Sequence, residues 1–185
     1  MFKRLFIALL VPILLLASCS MEATIPENTK TVSFFRDNKQ LYTDSVSYLQ
    51  TLDFDAMISR NDFYSVKGSE KFSGLYLQNM NNKTFSACDI KEINALFEQT
   101  DVKLIDVIRQ NDLLICAFDM CIPGKNFDYG IYYTSGDRAI YFGDPSIELS
   151  ARGDGFTFEQ KASYGTKFTY YTEQVEDHFY YYEIT

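Results

Sequence analysis

The second half of the sequence consists of short apolar and aromatic segments separated by turn-forming residues. The 185-residue chain contains 14 Tyr and 16 Phe, and more than half of these aromatics lie within residues 127–185. Aromatic and β-branched residues favour strands, whereas Gly, Asn, Asp and Ser between the segments favour turns. This pattern constrains the fold more than any other feature, because it predicts a series of antiparallel hairpins in a chain with enough apolar surface to fold.

Three hairpins are predicted from the lengths of these segments and the residues between them. Their strand pairs are 104–108 with 113–118, 129–134 with 139–142, and 167–172 with 178–184. The connecting residues suit tight turns, as Ser135-Gly136-Asp137-Arg138 does in the second hairpin. The sheet is therefore expected to be antiparallel.

A segment of the first half has apolar residues at helical spacing. It predicts an amphipathic helix of about four turns that is capped by Asp37 or Asn38 and can continue through residues 55–58. The apolar positions of this helix are Leu41, Tyr42, Val46, Leu49 and Leu52. Two short strands are expected to follow over residues 63–78, around two glycines.

A second helix is predicted to begin near Asp89. Asp89 and Glu92 have the spacing of a capping box, and Ile93, Leu96 and Phe97 follow at helical intervals. The predicted fold class is therefore α+β, with two main helices in the N-terminal half. These helices are expected to pack on an antiparallel, meander-like sheet that the C-terminal half mostly forms.

The first residues form a basic stretch followed by an apolar run. Met1-Phe2-Lys3-Arg4 precedes an apolar segment over residues 5–16, which Pro12 interrupts. Spanning a bilayer takes about 20 apolar residues, so this run is too short for a transmembrane helix. It has the charge and length of the n-region and h-region of an export signal.

The apolar run ends in Leu16-Ala17-Ser18-Cys19, which resembles the lipobox of bacterial lipoproteins. In that family an aliphatic residue and two small residues precede a Cys that becomes the new N-terminus. The resemblance implies that Cys19 carries a thioether-linked diacylglycerol with acyl chains such as palmitate. Two or more acyl chains hold a protein firmly on a membrane, at ~0.8 kcal/mol for each buried methylene.

These features divide the chain into three parts. Residues 1–18 are expected to be a lipoprotein signal peptide, residues 19–30 a flexible polar tether, and residues 31–185 a single α+β domain. The protein would be extracytoplasmic and anchored through Cys19 to the bacterial cell membrane. Ser20 is not an Asp retention signal, so the anchor would lie in the outer membrane if the cell has one.

Three further cysteines follow Cys19. Cys116 and Cys121 are five residues apart, and export to an oxidising space would permit a disulfide that closes this local loop. The alternative is that Cys88, Cys116 and Cys121 are all free thiols that behave as small buried hydrophobic side chains.

The last predicted hairpin carries a dense group of tyrosines, namely Tyr170, Tyr171, Tyr180, Tyr181 and Tyr182. Successive strand side chains point to opposite faces, so one face is expected to be core and the other to display tyrosines. Tyrosine offers contact area and a hydroxyl at low entropic cost, which makes the displayed face a candidate binding face for an envelope protein or a glycan. The alternative is that both faces of the hairpin are covered.

Charge and composition argue against several function classes. The net charge of −8 argues against a non-specific nucleic-acid binder, which needs a basic patch. His178 is the single His of the sequence, which argues against imidazole catalysis and against a metal site with several His ligands. No Cys lies in a recognisable nucleophile motif that would pair with it. We therefore predict no catalytic residue, no metal and no cofactor.

Parts of the C-terminal half resemble a pattern found in uncharacterised bacterial lipoproteins. The matching segments are 130–134, 153–156, 171–175 and 179–183, and Trp often stands in that family where this chain has Phe156 and Phe179. The resemblance implies that these segments form one module, and it brings no site residues. The expected function is a lipid-anchored cell-envelope protein with a non-enzymatic binding or structural role. The alternative is an envelope hydrolase or an enzyme inhibitor that acts on envelope polymers.

Overall fold

A computed structural model of the protein describes residues 28–60, 75–81, 84–110, 112–120, 128–161 and 167–185. Within these ranges the helices are α1 (Asn28–Asp37), α2 (Lys39–Leu49) and α3 (Lys91–Gln99). The strands there are β1 (Ala56–Arg60), β2 (Leu75–Asn79), β3 (Thr84–Cys88), β4 (Leu104–Gln110), β5 (Leu113–Asp119), β6 (Asp128–Thr134), β7 (Ser150–Arg152), β8 (Gly155–Lys161), β9 (Lys167–Glu176) and β10 (Phe179–Ile184). The helices lie in the N-terminal half and most strands in the C-terminal half, which confirms the predicted α+β class.

All of these strands belong to one antiparallel sheet, in the order β3-β2-β1-β4-β5-β6-β10-β9-β8-β7. After β6 the chain crosses to the far edge of the sheet, and β7 to β10 return strand by strand toward its middle. The two groups of strands meet where β6 pairs with β10, from Tyr133 opposite Phe179 to Asp128 opposite Ile184. This β6–β10 pairing is termed the seam.

One face of the sheet is covered by the three helices and is termed the helical face. Its core joins Phe35 of α1, Tyr42 of α2 and Phe97 of α3 to buried strand residues such as Phe118. The rings of Tyr42 and Phe118 meet edge-on with their centroids 5.2 Å apart. Such pairs add ~0.5–1.5 kcal/mol beyond simple burial, so aromatic contacts help to hold the helices on the sheet.

The opposite face is covered by residues 139–149 and is termed the loop face. The sequence predicted a strand over residues 139–142, and this prediction is wrong. The backbone N–H of Ile140 donates to the Tyr132 hydroxyl at 3.0 Å, and the Ile140 carbonyl accepts from the Tyr170 hydroxyl at 2.9 Å. Tyrosine side chains, and not a neighbouring strand, therefore satisfy the backbone of this segment.

The first and the last predicted hairpins are confirmed. Strand β4 pairs with β5, and β9 pairs with β10 around a turn that contains Asp177 and His178. Asp112 in the first turn has a φ of 63° and His178 in the last a φ of 65°. This left-handed conformation is uncommon outside glycine and serves tight turns.

Residues 55–58 were expected to extend the first predicted helix, but Ala56–Arg60 form β1 between β2 and β4. Ala56 and Ile58 alternate along β1 and are buried in the core of the helical face. Pairing on both sides satisfies the β1 backbone, which explains why the strand replaces the helix. Of the two strands predicted over 63–78, β2 is observed at its end, and residues 63–74 lie outside the described ranges.

Helices α2 and α3 confirm the two predicted helices, and α1 is an additional one. It begins at Asn28, within the last residues of the predicted tether, and it buries Val32 and Phe35. The earlier part of the tether, the signal peptide and Cys19 lie outside the described ranges, so the predictions made for them stay predictions. No helix in the described ranges is long and apolar enough to cross a bilayer.

Asn38 occupies the predicted N-cap position of α2, but neither predicted helix cap forms a side-chain cap hydrogen bond. The Asn38 side chain makes no cap hydrogen bond to α2, and its amide donates instead to the Phe34 carbonyl at the end of α1, at 2.9 Å. Ile90, and not Asp89, occupies the N-cap of α3, while the Asp89 carboxylate accepts from the Asn94 amide at 2.6 Å. The side chains of Asn38 and Asp89 thus form other hydrogen bonds and do not cap the backbone N–H groups at the start of α2 and α3.

Candidate functional site

The five tyrosines of the last hairpin do not share one exposed face. Tyr170, Tyr180 and Tyr182 lie in the core of the loop face, and Tyr181 lies in the core of the helical face. All four are at most 2% exposed, and only Tyr171 is partly exposed. The expectation of an exposed tyrosine face therefore does not hold, because helices cover one side of the hairpin and residues 139–149 cover the other.

The buried tyrosines of the loop face form a hydrogen-bonded network. The Tyr132 hydroxyl accepts from the Thr172 hydroxyl at 3.2 Å, and the Tyr132 ring stacks on the Tyr180 ring with centroids 5.1 Å apart. Burial raises the pKa of Tyr132 to about 12, so its phenol stays protonated near neutral pH. Together with the bonds to Ile140, this network fixes residues 139–149 over the sheet.

A row of three residues crosses the seam on the loop face. Asp119 on β5 lies opposite Gly130 on β6, which lies opposite Tyr182 on β10. The Tyr182 hydroxyl reaches over Gly130 and donates to the Asp119 carboxylate. A Cβ atom on Gly130 would lie 3.0 Å from the Tyr182 ring and hydroxyl. The missing side chain at Gly130 therefore makes room for this hydrogen bond.

Asp106 and Asp128 lie near this row and complete what is termed the acid cluster, Asp106, Asp119, Asp128 and Tyr182. Burial raises the pKa of Asp119 to about 7, against a lowering effect of the Tyr182 hydrogen bond, and the charges of Asp106 and Asp128 raise it further. Burial also raises the pKa of Asp106 to about 6. Both aspartates are only partly exposed. The cluster can take up and release protons near neutral pH, which an ordinary aspartate cannot.

A second group of tyrosines and carboxylates lies on the helical face, where α1 begins. Tyr171 donates to Glu173 at 2.7 Å, and the Asn28 amide donates to the other oxygen of Glu173 at 2.6 Å. Tyr181 donates to Glu183 at 2.9 Å. A carboxylate near a helix N-terminus is stabilised by the helix dipole. This arrangement therefore helps to hold the start of α1 on the sheet.

A surface groove of about 500 Å³ lies beside the edge of the loop face. Residues 145–149 and the side chains of Arg138, Ile140 and Phe156 line it. Among the strand aromatics whose side chains are described, Phe156 stands out because it is 39% exposed. A groove lined by both polar and apolar side chains, with one exposed aromatic ring and two charged residues, Arg138 and Glu148, is a candidate binding surface.

The thiols and the single histidine do not form a reactive pair in the described ranges. Cys116 is a free, fully buried thiol, and burial raises its pKa to about 12. The predicted partner Cys121 lies outside the described ranges, so the disulfide between them stays a prediction. His178 sits in a turn with its Nδ1 3.0 Å from the Thr134 carbonyl. The described residues contain no cluster of three or more His, Cys, Asp or Glu side chains that could hold a metal ion.

The sequence analysis did not identify the acid cluster. Asp106 interrupts the apolar segment 104–108, and Asp119 follows the apolar segment 113–118, so each stands where a buried strand residue would be expected. A charged residue at such a position is a usable signal on its own. The partnership with Tyr182 could not be seen, because it depends on the pairing of β10 with β6.

The lipobox and the C-terminal segments are short patterns, and a wider likeness would be needed to transfer a function from a relative. No protein-family model matches the chain, and no curated protein or solved structure matches it significantly.

Proposed function

We propose that this chain is a lipid-anchored cell-envelope protein with a non-enzymatic binding or structural role. The observation that carries the proposal is Leu16-Ala17-Ser18-Cys19 at the end of a basic stretch and a short apolar run. Lipidation of Cys19 would place the folded domain outside the cytoplasm, in contact with envelope proteins and glycans. Eight residues, 20–27, separate Cys19 from α1, so they would span at most about 30 Å.

The groove beside Phe156 is the binding surface that supports this role best. It combines an exposed aromatic ring with a mixed polar and apolar lining and the charges of Arg138 and Glu148. It adjoins β7, a short edge strand whose three residues are all exposed. A partner could therefore reach both the groove and the strand edge without disturbing the core.

Lipidation is tested by replacing Cys19. In a bacterial host, Cys19→Ala should move the full-length protein from the membrane fraction to the soluble fraction or leave it as an unprocessed precursor. It should also abolish labelling with an alkyne analogue of palmitate. Cys88→Ala is the matched control, because it removes a different thiol and should leave both readouts unchanged. Full labelling of Cys19→Ala would contradict the anchor.

Binding through the groove is tested by replacing Phe156. Phe156→Ser in the anchored protein should weaken co-sedimentation with purified cell-wall glycan, or photo-crosslinking to a single envelope protein, at least fivefold. Met80→Ser is the control, since Met80 is also exposed, at 46%, and lies on another part of the sheet. Binding at this groove would be contradicted if both variants co-sedimented or crosslinked equally well, or if the unmodified protein did neither.

The alternative function is an envelope hydrolase or an enzyme inhibitor that acts on envelope polymers, and the acid cluster favours the hydrolase. Two neighbouring carboxyl groups with raised pKa values are the arrangement that general acid–base catalysis uses. The test is the release of reducing ends or amino groups from purified envelope polymers by the full chain. Activity that Asp119→Asn abolishes and Asp101→Asn preserves would support a hydrolase, and no activity in the unmodified protein would argue against it.

A further inference from the structure

In the described part of the chain, β7 is the last strand at one edge of the sheet, and the groove beside Phe156 lies along it. The three residues of β7 are all exposed, and residues 145–149, which line the groove, lead directly into them. We propose that this edge takes up an extended segment of another envelope protein, which pairs with β7 as an additional antiparallel strand and places an apolar side chain beside Phe156. The inference rests on the proposed binding role of the groove and names the class of partner.

The backbone of Ala151, in the middle of β7, points away from the sheet. A two-residue turn, in which Gly153 has a φ of 60°, joins Arg152 of β7 to Gly155 of β8. The residues that flank such a turn form a hydrogen-bonded pair, so the next pair along the two strands, Ala151 and Phe156, is a non-hydrogen-bonded one. The N–H and C=O groups of Ala151 therefore face the open edge, where an added strand can form two hydrogen bonds with them.

The side chain of Ala151 lies on the loop face, in one row with Phe156. Residues directly opposite each other on paired strands point to the same face. Ala151 lies opposite Phe156, and Phe156 lies opposite Thr172. Thr172 in turn lies opposite Tyr182, which belongs to the core of the loop face. A partner residue opposite Ala151 would extend this row, and because alanine is small, a long apolar side chain there can reach over it to the exposed ring of Phe156.

These contacts favour a peptide segment of defined chemistry. A three-residue strand offers few hydrogen bonds, so pairing needs a second contact, which the groove provides through Phe156, Ile147 and Leu149. A glycan could stack on Phe156, but it lacks the regularly spaced N–H and C=O groups that match a strand edge. The exposed side chain of Arg152 points to the opposite face from Ala151. In an antiparallel partner, the residue opposite Arg152 comes immediately before the apolar one, and an acidic residue at that place would pair with the arginine.

Peptide binding by the full chain tests the inference. A display library of random seven-residue peptides is selected on the protein, and the affinity of each enriched peptide is measured by fluorescence polarisation. The enriched peptides should share an apolar residue that follows Asp or Glu. Methylation of the backbone nitrogen of that apolar residue should weaken binding about tenfold, because its N–H donates to the Ala151 carbonyl. Methylation of either neighbouring residue, whose N–H points away from β7, should change the affinity less than about twofold.

Variants of the chain separate the strand edge from the groove. Ala151→Pro removes the outward N–H and should weaken binding of the enriched peptides about tenfold. The fold should tolerate this change, since proline is accepted on an edge strand where the N–H faces solvent. Ala151→Ser keeps the N–H at the same exposed position and is the matched control, which should bind as the unmodified protein does. Phe156→Ser should weaken binding of the same peptides by a similar factor.

The outcomes distinguish this inference from the proposed function. If Phe156→Ser weakens co-sedimentation with cell-wall glycan and Ala151→Pro changes neither glycan nor peptide binding, the groove binds a glycan and strand addition is overturned. A library with no enriched peptide, or equal effects of methylation at all three positions, would also overturn it. Dimers of the unmodified chain that Ala151→Pro dissociates, without peptide binding, would assign the edge to a second copy of this chain and overturn the peptide partner.

Discussion

The two tyrosine–carboxylate pairs of the sheet, Tyr182–Asp119 and Tyr171–Glu173, are built alike and placed differently. In each pair the tyrosine lies against a glycine, Gly130 in the first and Gly155 in the second, where a Cβ would lie 2.7 Å from the Tyr171 hydroxyl. Tyr182 is fully buried at the seam, whereas Tyr171 is partly exposed near the β7–β8 edge. The comparison shows how position changes a tyrosine–carboxylate hydrogen bond. At the edge of the sheet water can solvate the carboxylate, whereas in the interior burial raises the pKa of the carboxyl group.

The largest difference between the pairs is expected from their glycines. Gly130→Ala should lower the free energy of unfolding by about 3 kcal/mol, because the added methyl group would contact the Phe118 carbonyl and the Tyr182 ring, and neither can move. Gly155→Ala should cost somewhat less, about 2 kcal/mol, because its methyl group would also clash with a backbone carbonyl, that of Thr172, whereas Tyr171, unlike Tyr182, can turn toward water. Urea unfolding of both variants measures the difference, and equal losses would show that the two environments do not differ in rigidity.

Removal of the two hydroxyl groups should produce a smaller contrast. Tyr182→Phe deprives a half-buried carboxylate of its donor and should cost about 1–3 kcal/mol. Tyr171→Phe should cost about 0.5–1 kcal/mol, because Glu173 keeps the Asn28 amide and access to water. Thermal unfolding at pH 8, where the Asp119 carboxyl group is ionised, gives both values. A larger loss for Tyr171→Phe would reverse the comparison.

Neutral replacements of the two carboxylates should change stability in opposite directions at pH 8. Asp119→Asn removes a charge that burial disfavours, so the melting temperature should rise by about 3–6 °C, equivalent to about 1–2 kcal/mol. Glu173→Gln removes the charge of a carboxylate that accepts hydrogen bonds from Tyr171 and Asn28. These bonds become weaker, so the melting temperature should fall slightly. Both shifts are read by calorimetry. At pH 4 the gain of Asp119→Asn should vanish, since the aspartate is then protonated in the folded state, and a persistent gain would mean that its charge is not the cause.

The smallest effect is expected at the start of α1. Asn28→Ala removes one hydrogen bond to Glu173 at the first residue of α1 and should cost about 0.5 kcal/mol. Hydrogen exchange of the α1 amides should show faster opening there, with no change in β10. Faster exchange in β10 as well would mean that the two pairs are coupled through the hairpin.

The parts of the fold that could be predicted are those that neighbouring residues determine. Strands β4 and β5 follow from two apolar segments on either side of the turn at Asp112. Helix α2 follows from apolar residues at helical intervals around Tyr42. Residues 139–142 could not be predicted, because their backbone binds Tyr132 and Tyr170, which are distant in sequence. The acid cluster was missed for the same reason, since it arises only where β4, β5, β6 and β10 come together.

The place of β10 in the strand order has a consequence for the order of folding. The last of the ten strands in the described part of the chain fills the middle of the sheet, between β6 and β9, so this sheet cannot be completed until residues 179–184 are free to pair. Before that moment both β6 and β9 have open edges, and open edges pair readily with other chains. A chain cut short before Phe179 should therefore aggregate and not fold as a smaller domain. If the chain is exported as an unfolded polypeptide and anchored at its N-terminus, as we propose, it would finish folding only after β10 has crossed the membrane.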